Sequence, residues 1–502
     1  MENLNRNMLD SVDQSKISVG NKKEMPVKII QFGEGNFLRA FMDYMVDKLN
    51  EKDIFNGSIA IVQPIEQGMV NILEKQEGLY TCIARGLEDG KEVVEKRIVT
   101  SVSDYINPFE NYDKYIGYAK DPNVRFVISN TTEAGICYEK CDINVKPQKT
   151  FPAKVTAFLY ERFQVFGNDK EKGLAFLPCE LIDNNGDFLK KYVLQHAKDW
   201  ELGEDFINWV EDANYFCSTL VDRIVTGYPR DEITEILEDL GYNDNLVVTS
   251  EIFHNLVIEG PTFLAKELPF DKIGLHVLFT PDAKPYKLRK VRILNGAHTA
   301  TVLAGYLSGI DIVRDLVGNK TYNDYIQYIL NEEIIPILPL PKDEVVDFAK
   351  AVSDRFANPF IKHRLLDISL NSISKYKVRV LPSILEYKEK QGALPEKLVI
   401  SFSALIKFYQ GQEIVDNALI GNRGSNTYPI KDTLEYLEIF KGFTKEYDKS
   451  NIKDYVTKVC SQTQMWGQDL NEVDGFNELV TSYLELIEEK GMENAVEILM
   501  SK

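Results

Sequence analysis

One short stretch limits the folds open to this chain more than any other. Val27-Lys28-Ile29-Ile30-Gln31-Phe32 is an apolar run suited to a buried strand, and it passes directly into Gly33-Glu34-Gly35-Asn36-Phe37-Leu38-Arg39. Phe37, Phe41, Met45 and Leu49 follow at helical spacing, so the segment predicts strand, glycine turn and helix in succession. That succession opens a dinucleotide-binding fold. Gly33 permits the tight turn, Gly35 lets the backbone approach a pyrophosphate, and a helix N-terminus favours its charge. Residues Phe32, Gly33, Glu34, Gly35, Asn36, Phe37, Leu38 and Arg39 are therefore the candidate cofactor contacts. Leu38 stands where a third glycine of G-x-G-x-x-G belongs. Strand–G-x-G–helix also occurs as plain packing, and the motif alone leaves both readings open.

The chain continues in the same alternation. Ser58 to Val62 reads as a second buried strand, followed by Gln63, Pro64 and Glu66, with no basic residue until Lys75. A cation is what a 2′-phosphate needs at that strand end, so NAD is expected rather than NADP. Tyr80 to Leu87 and Lys91 to Val99 are β-rich runs joined by Glu88-Asp89-Gly90, a hairpin signal and an antiparallel insertion in a doubly wound sheet. Val124 to Ser129 ends in Asn130-Thr131-Thr132-Glu133-Ala134-Gly135. Ligands of open α/β sheets lie beyond strand carboxyl ends, which makes Thr132 and Glu133 candidate contacts; a polar turn capping the next element accounts for them equally. Val155 to Phe163 predicts a helix, Gly173 to Pro178 a strand, and Val247 to Ile258 and Gly274 to Thr280 β or mixed segments. Pro281-Asp282-Ala283-Lys284-Pro285 reads as a linker. Beyond it helical periodicity takes over, as in Phe476, Leu479, Val480, Tyr483, Leu486 and Ile487, closed by Gly491. The expectation is a Rossmann-like α/β domain over residues 1–283 and a mostly helical domain over 284–502.

The second domain opens on Lys290-Val291-Arg292-Ile293-Leu294-Asn295-Gly296-Ala297-His298. At roughly 100° per residue, Lys290, His298 and Asn295 point at about 0°, 80° and 140°, all on one half of a helix. The three types suit carbonyl–alcohol chemistry: an amine as acid or base, an amide donor for an oxyanion, an imidazole for a hydroxyl. An amphipathic helix with three solvated polar residues fits the same spacing.

Hydrophobic residues at 44% and charged ones at 27% describe an ordinary globular chain, and a net charge of −19 argues against nucleic acid or an anionic membrane as partner. An anionic substrate would need a local basic pocket. Cys82, Cys137, Cys141, Cys179, Cys217 and Cys460 include no C-x-x-C pair, and Cys137/Cys141 lack a companion histidine for a zinc site. Met1 to Lys23 is polar and no run approaches 18 apolar residues, so a cytoplasmic protein with reduced thiols is expected. No coiled-coil heptads are present, and the pattern leaves the oligomeric state open.

K-x-R-x-L-N-G-x-H at Lys290–His298, G-x-G-N-F-x-R at Gly33–Arg39 and Val221-Asp222-Arg223-Ile224 together resemble the polyol-specific long-chain dehydrogenases, the mannitol dehydrogenase family. The wording of Phe176–Ile182, Thr219–Pro229 and Arg289–Thr299 is similar to the branch of that family that reduces keto sugar acids. The likeness runs from about Val27 to Pro382 and is strongest between Phe176 and His298. It implies metal-independent, NAD-dependent exchange of a ketone and a secondary alcohol, with Lys290 as acid/base and Asn295 and His298 binding the reacting oxygen and the substrate. It also implies a substrate-contacting lysine at Lys375, within the basic run Lys375-Tyr376-Lys377-Val378-Arg379, where Arg379 is a second candidate for the carboxylate. Asp222 is a candidate for orienting Lys290 or the substrate; a buried Asp–Arg pair holding a loop accounts for it as well. The chain departs from the pattern at Leu181, where the family has an asparagine, and at Asp367, where the polyol enzymes have an arginine. A hexitol dehydrogenase, a fructuronate reductase and a nucleotide-sensing module are the rival readings.

Overall fold

The computed structural model describes every residue except Glu133 and Lys502. The chain forms two compact units: Met1–Gly86 with Glu92–Ala283, and Leu87–Lys91 with Lys284–Lys502.

In the first unit the strands are β1 (Ser18–Val19), β2 (Val27–Phe32), β3 (Ser58–Val62), β4 (Tyr80–Glu88), β5 (Lys91–Val99), β6 (Val102–Ile106), β7 (Phe126–Ser129), β8 (Ala175–Pro178), β9 (Tyr215–Phe216), β10 (Ser218–Asp222), β11 (Val225–Gly227), β12 (Val248–Glu251), β13 (Asn255–Glu259) and β14 (Val277–Thr280). The largest sheet runs β6-β3-β2-β7-β8-β9 and is parallel throughout. The chain winds outward from β2 through β3 to β6, then returns to the other side of β2 through β7, so the switch point lies between β2 and β7. This is the expected α/β class. The predicted hairpin lies in a separate sheet, β1-β5-β4-β12-β11, and leaves the parallel one uninterrupted. Its turn is tight because Asp89 and Gly90 both take positive φ, 50° and 72°. The stretch Val247–Ile258 divides: β12 pairs with β4, whereas β13 joins β10 and β14 in a third sheet.

Strand periodicity sorts the core. Ile29, Ile59, Ile61 and Ile128 pack in one cluster with Met42, Met45, Val46 and Leu49. Ile30, Phe32, Ala60 and Val62 pack in another with Val155, Phe158 and Leu159. Both faces are buried, which is why these strands read as continuous apolar runs. The helix predicted after the glycine turn is broken into α1 (Asn36–Arg39) and α2 (Met42–Glu51). The cause is tertiary: Tyr80 Oη donates to Arg39 O at 3.0 Å and Arg223 Nη1 to Ala40 O at 2.6 Å, taking carbonyls that a continuous helix would use itself.

Helix α2 is tied to the second sheet by one buried ion pair. Asp47 accepts from Arg97 Nη1 at 2.8 Å, from Thr100 N at 2.7 Å and from Thr100 Oγ1 at 2.9 Å. Both charged side chains are buried.

The second unit is mostly helical, as expected. Its first long element is α3 (Lys284–Lys290), a π-helical turn over Val291–Asn295, and α4 (Gly296–Leu307). Helix α5 (Lys342–Phe356) and α6 (Ser372–Arg379) lie later in the chain. At the core, α4 packs on α7 (Glu396–Phe408), which packs on α8 (Phe476–Lys490). The helical reading overlooked an antiparallel meander, β15 (Gly411–Val415), β16 (Ala418–Arg423) and β17 (Asn426–Ile430). Among the described residues no helix is long and apolar enough to cross a membrane.

The Asp47 node generates a stability prediction. Asp47→Ala leaves Arg97 buried with only its partners at Glu51 and Glu95, so the first unit should lose about 3 kcal/mol. Urea unfolding monitored by circular dichroism measures it; a loss below about 0.5 kcal/mol would show that the pair is dispensable.

Candidate active site

In the first unit the switch point is a crevice built from backbone. Gly33 N donates to Val62 O at 3.1 Å and Asn130 N to Phe32 O at 3.0 Å, joining the ends of β2, β3 and β7. Gly33 has φ of 120°, and a Cβ there would stand 3.0 Å from Asn130 O, so only glycine suits the turn. Among the described residues a Cβ on Gly35 would meet nothing within 4 Å, which leaves open space in front of the turn. A backbone cradle with space before it at the switch point of a doubly wound sheet fits a dinucleotide.

The predicted cofactor residues divide by placement. Phe32 and Leu38 are core side chains, and Phe37 packs against the core. Arg39 is buried with its guanidinium committed inward: Nε donates to Glu34 O at 3.1 Å, Nη2 to Asn36 Oδ1 at 2.7 Å and Nη1 to Leu246 O, over the Tyr80 ring. Its part is to hold the turn from behind. Glu34 accepts from Met69 N at 3.2 Å, and burial pushes its carboxyl up. Gln63, at the end of β3, donates to the carbonyls of Ile65 and Glu66, both at 2.9 Å. Thr132 is exposed at φ 78°, and Glu133 lies outside the described residues. The loop before it is organised by a residue to which the motif reading gave no role. Glu180 is buried and accepts from Ser129 Oγ at 3.0 Å, Thr131 N at 2.9 Å and Thr131 Oγ1 at 2.8 Å. The neighbouring Leu181 is 66% exposed, an apolar side chain offered to solvent where the family pattern has a polar one. Asp222 is buried in β10, and Arg223 beside it donates to the carbonyls of Glu251 and Ala40 and lies over Tyr44.

In the second unit the Lys–Asn–His segment differs from a plain α-helix. Lys290 ends α3, Asn295 ends the π-helical turn, and His298 lies in the first turn of α4. A π turn closes from residue i to i+5, so Lys290 and Asn295, five apart, become axial neighbours instead of pointing about 140° apart. Gly296 lets α6 approach closely: the carbonyl of Arg379, at the end of α6, stands 3.2 Å from where a Cβ would be, a tight contact.

His298 is the centre of this site. Its ring stacks on Phe356 at 4.1 Å and meets His363 edge-on at 5.7 Å. Among the described residues its Nε2 is buried with no hydrogen-bond partner. Burial first, then the charges of His363, Arg355, Arg379 and Lys375, push its pKa far below the ordinary value, so the ring is neutral. Lys375 Nζ donates to Ile368 O at 2.8 Å; burial and the neighbouring Arg379 push its pKa down. Sequence reasoning missed Arg355 and Phe356, which reach His298 from the end of α5 and carry no local motif. The arginines on either side of Lys290 are structural: Arg289 pairs with Glu344 and Arg292 with Glu386.

The strand order by itself assigns the first unit to the doubly wound nucleotide-binding class. The mannitol dehydrogenase Rossmann-domain model matches residues 27–272, and the mannitol dehydrogenase C-terminal-domain model residues 282–488. The match thus continues well past Pro382, where the sequence likeness was expected to fade. The altronate oxidoreductase of Yersinia enterocolitica is 46% identical over 475 residues, 94% of this chain and 96% of that protein. The crystal structure of a substrate-free D-sorbitol dehydrogenase aligns with a TM-score of 0.78 at 20% identity, over 98% of this chain and 100% of that one. Pseudomonas fluorescens mannitol 2-dehydrogenase, solved with NAD and D-mannitol, aligns over 100% of both chains with a TM-score of 0.64 and 20% identity. The chain belongs to the mannitol dehydrogenase family.

The neutral His298 has a measurable linkage. Unfolded, its imidazole titrates near 6.5. Below that pH the unfolded chain binds a proton that the folded one refuses, so stability falls as pH drops from about 6.5, by up to about 1.4 kcal/mol per pH unit. His298→Phe should flatten the curve of stability against pH between about 6.5 and 5. Urea unfolding at stepped pH tests this, and an unchanged slope would mean that the ring titrates normally in the fold.

Proposed function

We propose that this protein reduces D-tagaturonate to D-altronate with NADH, and runs the reverse oxidation with NAD. The observation that carries the reading is a buried, neutral histidine with an unpartnered Nε2, set next to the family's lysine and asparagine and ringed by cations. The names of the 46% identical relatives support altronate as the product. Residues 1–283 are read as the nucleotide domain and 284–502 as the catalytic one.

Gly33, Glu34, Gly35 and Asn36, with Thr131 and Thr132 in the loop after β7 and the sequence candidate Glu133, would hold the dinucleotide, which when bound supplies the hydride. The ammonium of Lys290 donates a hydrogen bond to the substrate ketone oxygen and gives up its proton there as the alcohol forms. The Asn295 amide donates to the same oxygen while it carries negative charge. His298, kept neutral, holds the neighbouring hydroxyl through Nε2 without adding a competing acid. Asp222 is assigned to orienting the lysine or the substrate. Lys375 and Arg379 face the sugar-acid end of the substrate. In the reverse direction Lys290 is the base.

Lys290→Ala removes the proton donor, so turnover should fall by about 10²–10⁴-fold while NADH binding persists. Stopped-flow rates on D-tagaturonate, with NADH fluorescence titration as the binding control, decide it; near-normal turnover would remove the mechanism. Run alongside D-fructuronate and D-fructose, the same assay separates the rival substrates.

Cofactor choice follows from the end of β3. Gln63, Glu34 and Glu66 offer no cation to a 2′-phosphate, so kcat/KM should be clearly higher with NADH than with NADPH. A preference for NADPH would show the adenosine end to be held by other residues.

A further inference from the structure

We propose that Arg379 selects the carboxylate of the substrate, whereas Lys375 holds the pocket wall and meets the substrate as a secondary donor. This rests on the assignment of the His298 turn as the substrate site. The two side chains lie one helical turn apart on α6, and both bear electrostatically on His298. Their surroundings differ. Lys375 is already bonded to the carbonyl of Ile368. The guanidinium of Arg379 is half-buried, and among the described residues it has neither a hydrogen-bond nor an ion-pair partner.

That is unusual within the unit. Arg289, Arg292, Arg314 and Arg423 each stand within 4 Å of a carboxylate. The acids that bear on its neighbours act elsewhere: Asp432, which bears on Lys375, accepts from Tyr409 Oη at 2.5 Å and from Ile373 N at 3.1 Å, and Asp367 acts on His363. A desolvated guanidinium left without an acid is costly. In a chain carrying −19, acids are abundant, so leaving this one cation unmatched beside Arg355, His363 and Lys375 makes a local anion site in a protein that otherwise repels anions. The planar fork of an arginine matches a carboxylate with two parallel N–H···O bonds, which a lysine cannot make. The backbone of Arg379 abuts Gly296, the residue after Asn295, so the fork is anchored at the reacting turn itself.

The test compares wild type, Arg379→Met, Arg379→Lys and Lys375→Met in the full chain with NADH, on D-tagaturonate and on neutral D-fructose. It adds equilibrium binding of D-altronate and of the neutral D-altritol in the presence of NADH. Arg379→Met should lower kcat/KM on tagaturonate by about ten- to a hundredfold and weaken altronate binding by the same factor. Fructose reduction and altritol binding should change by less than about threefold. Arg379→Lys, with charge kept and fork lost, should fall between, and Lys375→Met should affect both substrates alike. If the Met variant does not fold, Arg379→Gln takes its place in the same comparison. Equal losses on charged and neutral ligands, or a carboxylate-specific loss in Lys375→Met alone, would overturn the proposal while leaving the reductase reading intact. A wild type that reduces fructose but not tagaturonate would overturn both.

Discussion

A charge taken out of water must be matched by an opposite charge or by hydrogen bonds, and that rule organises both units. In the first it is obeyed locally. Asp47 and Arg97 are buried together and tie α2 to the second sheet, while buried Arg39 turns its donors onto backbone carbonyls around the glycine turn. In the second it is left unfulfilled at one place. Among the described residues Arg379 has no hydrogen-bond or ion-pair partner, and with Lys375, Arg355 and His363 it bears on an imidazole that is held neutral. Deferring the match to a ligand is how a strongly acidic protein can still receive an anion.

Backbone geometry carries the other half of the site. The crevice at the switch point is made by Gly33, Gly35 and Asn130, with no side chain of the described residues in front of Gly35, and Glu180 braces its far wall through three hydrogen bonds. In the helical unit, the π turn brings Lys290 and Asn295 into line, and Gly296 lets α6 close on it. Wide turns of this kind cost helix hydrogen-bond quality and recur where function needs a side chain re-aimed. Both devices place polar groups by main-chain shape, which leaves the side chains available for chemistry.

Much of this is legible in the amino-acid sequence. Parallel strands buried on both faces read as nearly continuous apolar runs, so β2, β3, β7 and β8 are legible in the sequence, and the glycine turn after β2 fits a nucleotide-type crevice, though plain packing fits the motif as well. The change from strand to helical periodicity near Lys284 is equally local, and so is the Lys–Asn–His spacing. What the sequence could not decide depends on partners far away in the chain. The helix after Arg39 breaks because Tyr80 and Arg223 claim its carbonyls. The β15–β17 meander escaped a helical reading because short antiparallel strands are stabilised by one another, not by a strong pattern of their own. The phase of Asn295 against Lys290 was misjudged because a π turn has no sequence signature. His298 is neutral, and Arg379 unmatched, only because α5, α6 and the His363 loop converge on α4. Residue type and periodicity are properties of neighbours in sequence; desolvation and charge balance are properties of neighbours in space, and only the fold supplies them.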